Sequence, residues 1–234
     1  MFYKDLKNED LDPLVQIISK SKSQKNRITE KLTSTEEFKK HNPDHHKYWQ
    51  LVAGEFQRFG ANTIMTKFRR GKGVLYSEIL VDVSTRLKVN FNKNSPIDAI
   101  EINLLMKILT DSIEKLSDMD LKVIVNELNL NTNILTKSAV IAALQTAILR
   151  GGFLPYKMAM IVSNSVAKLF LGTGLTFAAN AAINKSIAIF TGPVGWVITG
   201  LWAIMDVASP AYRVTIPATI FTAYLRLKNQ NENM

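Results

Sequence analysis

Apolar residues recur along the first 150 positions at the spacing of an α-helix face, in short runs divided by polar punctuation. Leu11, Leu14, Val15 and Ile18 fall at i, i+3, i+4 and i+7, which predicts a helix with one buried stripe. The polar run Ser19–Arg27 predicts a loop, with a short helical piece around Ile28–Leu32. Asn42-Pro43 reads as a helix start, because Asn caps free N–H groups and Pro fits the first helical position. From there Tyr48, Val52, Phe56 and Phe59 trace a face that the pattern ends at Gly60.

Ala61–Arg70 also reads as helix, broken by Gly71-Lys72-Gly73. Leu75, Ile79, Val83 and Leu87 repeat every four residues, which favours helix over strand despite the β-branched content. Ser95-Pro96 opens a helix carrying Ile97, Ile100, Leu104 and Ile108, and Ser117 with Asp120 opens another. Asn129–Asn133 reads as a turn, after which Thr136 or Ser138 starts an apolar helix running to about Arg150. No strand alternation is sustained and no solenoid-length repeat occurs, so the expected class is all-α.

Beyond Gly151 the pattern changes. Twenty residues between Lys185 and Asp206 carry no charge, and as one helix they would extend about 30 Å, the thickness of a bilayer core. Gly174, Ala178 and Ala182 recur every four residues, a small-residue ridge that would let apolar helices approach closely. Trp196 and Trp202 suit an interface. Gly192-Pro193 and Gly195 interrupt the run, so the reading is a broken or hairpin element, and at least three helical pieces in 151–225. Pro217 is expected to kink the segment after Ser209-Pro210. The apolar region fits a membrane-docked hairpin, a buried soluble core or an interface with a partner protein.

Composition sharpens that division. Residues 1–150 hold 23 of the 29 Lys+Arg and 18 of the 20 Asp+Glu, whereas 151–225 hold only Lys157, Lys168, Lys185, Asp206 and Arg213. The expected organisation is a small N-terminal helical domain over 1–40, a helical domain over 41–150, an apolar docking region over 151–228 and a polar tail over 229–234. In an apolar setting Asp206 and Arg213 would be each other's nearest ion-pair candidates. The formal charge of +9 favours anionic partners. With no cysteine there is no disulfide or thiolate chemistry, and the charged N-terminus does not read as a secretory signal, which points to the cytoplasm.

Candidate chemistry is sparse. His41 and His45 have i, i+4 spacing beside Asp44, but Pro43 between them places His41 outside a helix, and solvated histidines are the plainer reading. Lys67, Arg69, Arg70 and Lys72 form the densest basic cluster, with Gly71 and Gly73 allowing close approach of an anion or lipid headgroup. That cluster lacks P-loop spacing and has only Phe68 for base stacking, so nucleotide hydrolysis and nucleic acid are disfavoured. No catalytic constellation, metal set or cofactor motif emerges.

Four strings carry a resemblance. YWQLVAGEFQRFGANTI (Tyr48–Ile64), GKGVLYSEILVDVSTRLKV (Gly71–Val89), GPVGW (Gly192–Trp196) and PAYRVTIPA (Pro210–Ala218) resemble the YaaW-like family of uncharacterised bacterial proteins. The first 35 or so residues look like the small domain often attached to that family; the stretch Asn90–Leu149 matches poorly. The family is distantly grouped with ubiquinol–cytochrome c chaperones, so the resemblance implies an assembly or chaperone role at the inner membrane. The resulting expectation is a non-enzymatic helical protein at the cytoplasmic face of the inner membrane. Its partners would be that membrane or a membrane protein complex, with anionic lipid at the basic loop. Gly174, Ala178, Ala182, Gly192, Pro193, Gly195, Trp196 and Trp202 would supply the docking surface. A membrane-inserting pore-type effector and a soluble nucleic-acid-binding protein are the alternatives.

Overall fold

The computed structural model describes residues 2–20, 27, 30–63, 74–172, 174–175, 181–205 and 211–232. Among them there are ten α-helices and no β-strand: α1 (Asn8–Ser19), α2 (Glu36–His41), α3 (Trp49–Thr63), α4 (Tyr76–Arg86), α5 (Ile97–Ile113), α6 (Asp118–Glu127), α7 (Lys137–Leu149), α8 (Leu154–Leu171), α9 (Ala181–Met205) and α10 (Tyr212–Glu232). Three short 3-10 turns, Phe2–Asp5, Leu32–Ser34 and His45–Tyr48, complete the described secondary structure.

The helix starts follow side-chain chemistry. Ser117 Oγ accepts from the Asp120 N–H at 3.2 Å and caps α6, while Thr136 Oγ1 accepts from Ala139 N–H at 3.3 Å and caps α7. Two lysines close helix ends from outside. Lys137 Nζ donates to the Glu114 carbonyl after α5, and Lys157 Nζ to the Glu127 carbonyl at the end of α6, where the helix dipole is negative.

The last helix in the chain is the centre of the molecule. Helix α10 packs against α1, α3, α4, α5, α8 and α9, and every side chain from Val214 to Leu225 is buried. Helix α8 is nearly as enclosed, with Met158–Ala167 all buried. Buried apolar residues join into one cluster that reaches from Tyr3 to Leu227.

Three glycine and proline expectations are corrected. Helix α3 does not stop at Gly60 but runs through it to Thr63. A Cβ at Gly60 would lie 2.4 Å from Ile79 Cγ1, so this glycine serves the close approach of α3 and α4. Helix α9 continues through Gly192, Pro193 and Gly195 for 25 residues instead of breaking. An interior proline costs a helix about 3 kcal/mol, and that cost is offset because Ile187, Phe190, Val194 and Ile198 are buried on one face, each gaining about 1.5–3 kcal/mol. Pro217 lies within α10, among buried residues. Asn42-Pro43 opens no helix: it forms the turn between α2 and His45–Tyr48, with a cis peptide bond.

Candidate functional site

The buried stripe of α9 leaves a second face turned outward. Ala188, Gly192, Trp196, Thr199 and Gly200 are exposed, with Gly195 half-buried between them. They lie within about a third of the helix circumference, since steps of four and three residues return to the same side. Trp196 is 71% exposed, the only large side chain on a ridge otherwise made of small residues. No residue from Ser186 to Met205 is charged. Among the described side chains, the outer face of α9 is therefore an uncharged, small-residue track with one aromatic knob, backed by the core beneath it. Among the described residues no helix is long and apolar enough to cross a membrane.

Several expected site residues fall elsewhere. Gly174 is not on a helix with Ala182: it lies in the connection after α8, where Asn164 Oδ1 accepts from Leu175 N–H at 2.7 Å and leaves no room for a Cβ at Gly174. The described exposed small-residue ridge is the Ala188–Gly200 face. Ala178 and Asp206, and the basic residues Lys67, Arg69, Arg70 and Lys72, lie outside the described residues, as do the side chains of Ala182 and Trp202. Arg213 is exposed at the start of α10. Together with burial, which is the larger cause, it lowers the pKa of Arg27 by like-charge repulsion.

The strongest polar chemistry holds α10 in place. Arg226 Nε donates to Glu101 Oε2 at 3.0 Å, and Tyr76 OH donates to Glu101 Oε1 at 2.6 Å, tying α10, α5 and α4 together around a carboxylate that is 1% exposed. Burial raises the Glu101 pKa to about 6, against the opposing pull of Arg226 and the Tyr76 hydrogen bond. Nearby, Tyr3 OH and Thr222 Oγ1 share a hydrogen bond of 2.8 Å, which fastens the N-terminal turn to the same helix. Lys228 Nζ donates to Asp10 Oδ1 at 2.6 Å and fastens α1.

At the other end of α10, Arg86 Nε donates to Tyr212 OH at 2.8 Å and its guanidinium lies 5.2 Å from the ring centroid. Burial, with the Asp82 carboxylate acting in the same direction, pushes this phenol up to about 12. Asp82 and Arg86 belong to the string Gly71–Val89, and Tyr212 to Pro210–Ala218. Two of the four family-like strings thus meet in one contact. The contact seats α10 against α4.

His45 departs from the solvated reading. It is buried, with Nδ1 2.6 Å from Tyr48 OH and Nε2 3.2 Å from Asp12 Oδ1. This bond is the largest cause holding the Asp12 pKa below its ordinary value. The imidazole therefore locks α1 against the entry to α3. His41, at the end of α2, is not part of that contact. No group of His, Asp and Glu able to hold a metal ion occurs among the described residues.

Sequence reasoning missed Glu101, Arg226 and the Asp12–His45–Tyr48 contact. Glu101 had a usable signal, being an acid directly beside the apolar positions Ile100, Leu104 and Leu105 of α5. His45 had none, because its partner Asp12 lies 33 positions away.

A family model described as ubiquinol-cytochrome C chaperone matches residues 44–221. A UPF0174 protein of Helicobacter pylori strain J99 is 46% identical over 233 residues, covering 99% of this chain and 92% of that protein. Another, from strain 26695 of the same organism, is 40% identical over 86% of this chain and 98% of its own length. The UPF0174 protein YaaW of Escherichia coli K12 is 31% identical over 96% of this chain and 92% of its own. No solved structure matches significantly.

Proposed function

We propose a function from one premise: this chain belongs to the UPF0174, YaaW-like family, which falls within the ubiquinol-cytochrome C chaperone family model. The reading is a non-enzymatic, chaperone-like protein at the cytoplasmic face of the inner membrane, where it assists assembly of a membrane complex. The outer face of α9 receives an apolar helix of a subunit before that helix reaches its final neighbours. One observation carries this role. A long, core-anchored helix presents Ala188, Gly192 and Gly200 along one uncharged side, with Trp196 standing out 71% exposed among them.

The chemistry suits such a client. Ala188 and Gly192, one turn apart, let another helix backbone come close on that side of Trp196, so that packing and weak backbone contacts replace lipid around it. The aromatic supplies a wide apolar contact at low entropy cost. The basic residues Lys67, Arg69, Arg70 and Lys72 are assigned to anionic headgroups in the same reading. A pore formed by residues 151–207 is less compatible with the packing, because insertion would strip out α8, whose Met158–Ala167 segment is fully buried.

The test uses the full chain, because removal of residues 185–234 would delete the central helix α10. A membrane-spanning segment from a ubiquinol–cytochrome c subunit is diluted out of detergent, and its aggregation is followed by light scattering. The unaltered protein should suppress aggregation, and Trp196→Asp or Gly192→Leu should abolish the effect while keeping the same helical circular dichroism. Suppression that is absent from the start, or equal in all three proteins, would overturn the reading.

A further inference from the structure

From Glu127 to Asp206 the chain contains no acidic residue, while Lys137, Arg150, Lys157, Lys168 and Lys185 all fall within that stretch. Among the described residues, five of the seven exposed large hydrophobic ones, Ile134, Leu135, Leu149, Phe153 and Trp196, fall there as well. Among the described residues the most exposed of these is Leu149, at 88%, the last residue of α7 before the turn to α8.

That turn has a defined shape. Gly151 and Gly152 adopt φ of +77° and +75°, a conformation that side chains with a Cβ rarely take. The two glycines form the turn between α7 and α8, and Leu149 and Phe153 stand on either side of the exposed Arg150 and that pair. Phe153 is 47% exposed and its ring meets Tyr156 edge-on at 5.3 Å. Tyr156 stacks on Tyr224 at 6.1 Å, and Tyr224 contacts Phe221 at 5.5 Å. An aromatic ladder thus braces the tip against the buried centre of α10. The acids that act on Tyr156, Asp10 and Glu232, are both engaged by Lys228, at 2.6 and 3.6 Å.

We infer that the α7–α8 turn is a membrane-contact tip, in which Leu149 and Phe153 enter the acyl boundary of an anionic bilayer and Arg150 pairs with lipid phosphate. This assignment rests on the membrane reading above, but it places the contact at residues that reading does not use. Charge decides for lipid, since a cation on an acid-free segment complements an anionic surface. Size decides against a protein partner, because two side chains and one arginine fall far short of the roughly 800 Å² per partner of a stable interface. A bilayer needs only such a wedge.

The full chain is floated with phosphatidylglycerol–phosphatidylethanolamine vesicles and with neutral phosphatidylcholine vesicles. Binding to the anionic vesicles is expected, weakened by salt. Leu149→Asp should lower the partition by about tenfold or more, as loss of a buried leucine implies. Ile134→Asp, before the opposite end of α7, should leave partitioning unchanged. Because the protein has no cysteine, Leu149→Cys and Ile134→Cys can each carry a single environment-sensitive dye, and only the dye at 149 should shift to the blue with vesicles. If the unaltered chain floats with neither vesicle, the membrane reading itself fails, and this assignment with it. If it floats and Leu149→Asp floats equally, with no shift at 149, the tip assignment fails while the membrane reading stands. A shift at 149 caused by an added membrane-complex subunit and not by vesicles would also overturn the lipid assignment.

Discussion

Arg226 Nε and Glu101 Oε2 lie 3.0 Å apart although 125 positions separate them, and the carboxylate is only 1% exposed. Removing one partner of a buried pair leaves an uncompensated charge, which costs about 3 kcal/mol or more. Glu101→Leu should therefore lower stability to urea by that order, whereas Glu101→Gln, which keeps acceptor and donor capacity, should cost less. Chemical denaturation of the three proteins at pH 7 checks the ranking.

The same group predicts a pH dependence. The folded-state pKa of Glu101 is raised from 4.5 to about 6, so the folded chain binds the proton more tightly than the unfolded chain. Stability then falls as pH rises through this window and levels off above about 6. The size is about 2 kcal/mol from the shift. Glu101→Gln should remove this slope, and the difference between the two denaturation curves from pH 7 to pH 4.5 isolates it from other titrating groups.

Gly60 and Ile79 lie too close for a side chain at position 60. A Cβ at position 60 would meet Ile79 Cγ1 at 2.4 Å and Cδ1 at 2.5 Å. Gly60→Ala should destabilise by about 1–3 kcal/mol through overpacking. In a double-mutant cycle, Ile79→Ala should recover part of that loss, because it removes the atoms in conflict. Additive effects would contradict the close approach.

Tyr48→Phe removes a hydroxyl that lies 2.6 Å from His45 Nδ1 and 3.2 Å from Asn42 Oδ1. A buried ring nitrogen then loses its partner, and the expected cost is about 1–3 kcal/mol. Amide exchange should rise in α1, which His45 holds through Asp12.

The two faces of α9 should respond oppositely. Phe190 is fully buried, so Phe190→Ala should cost about 3–5 kcal/mol. Trp196→Ala, on the outer face, should change stability by no more than about 0.5 kcal/mol. Melting curves of both variants check this, and the second result is what makes Trp196 a clean probe of binding.

The helical class, the Ser117 and Thr136 caps, the faces of α1 and α5 and that of α4 apart from the exposed Leu75 were legible in the sequence, because each rests on residues within one or two turns of each other. The uncharged character of 186–205 was legible for the same reason. Local chemistry misjudged Gly60 and Pro193, since a helix breaker acts only when packing does not outweigh it, and here neighbouring residues are buried. It could not pair Glu101 with Arg226, Asp12 with His45 or Arg86 with Tyr212, whose partners are distant in the chain. Nor could it tell that the last helix is the central one, or which side of α9 faces outward. Those are decided by which helices enclose which, a property of the assembled core that no single segment carries.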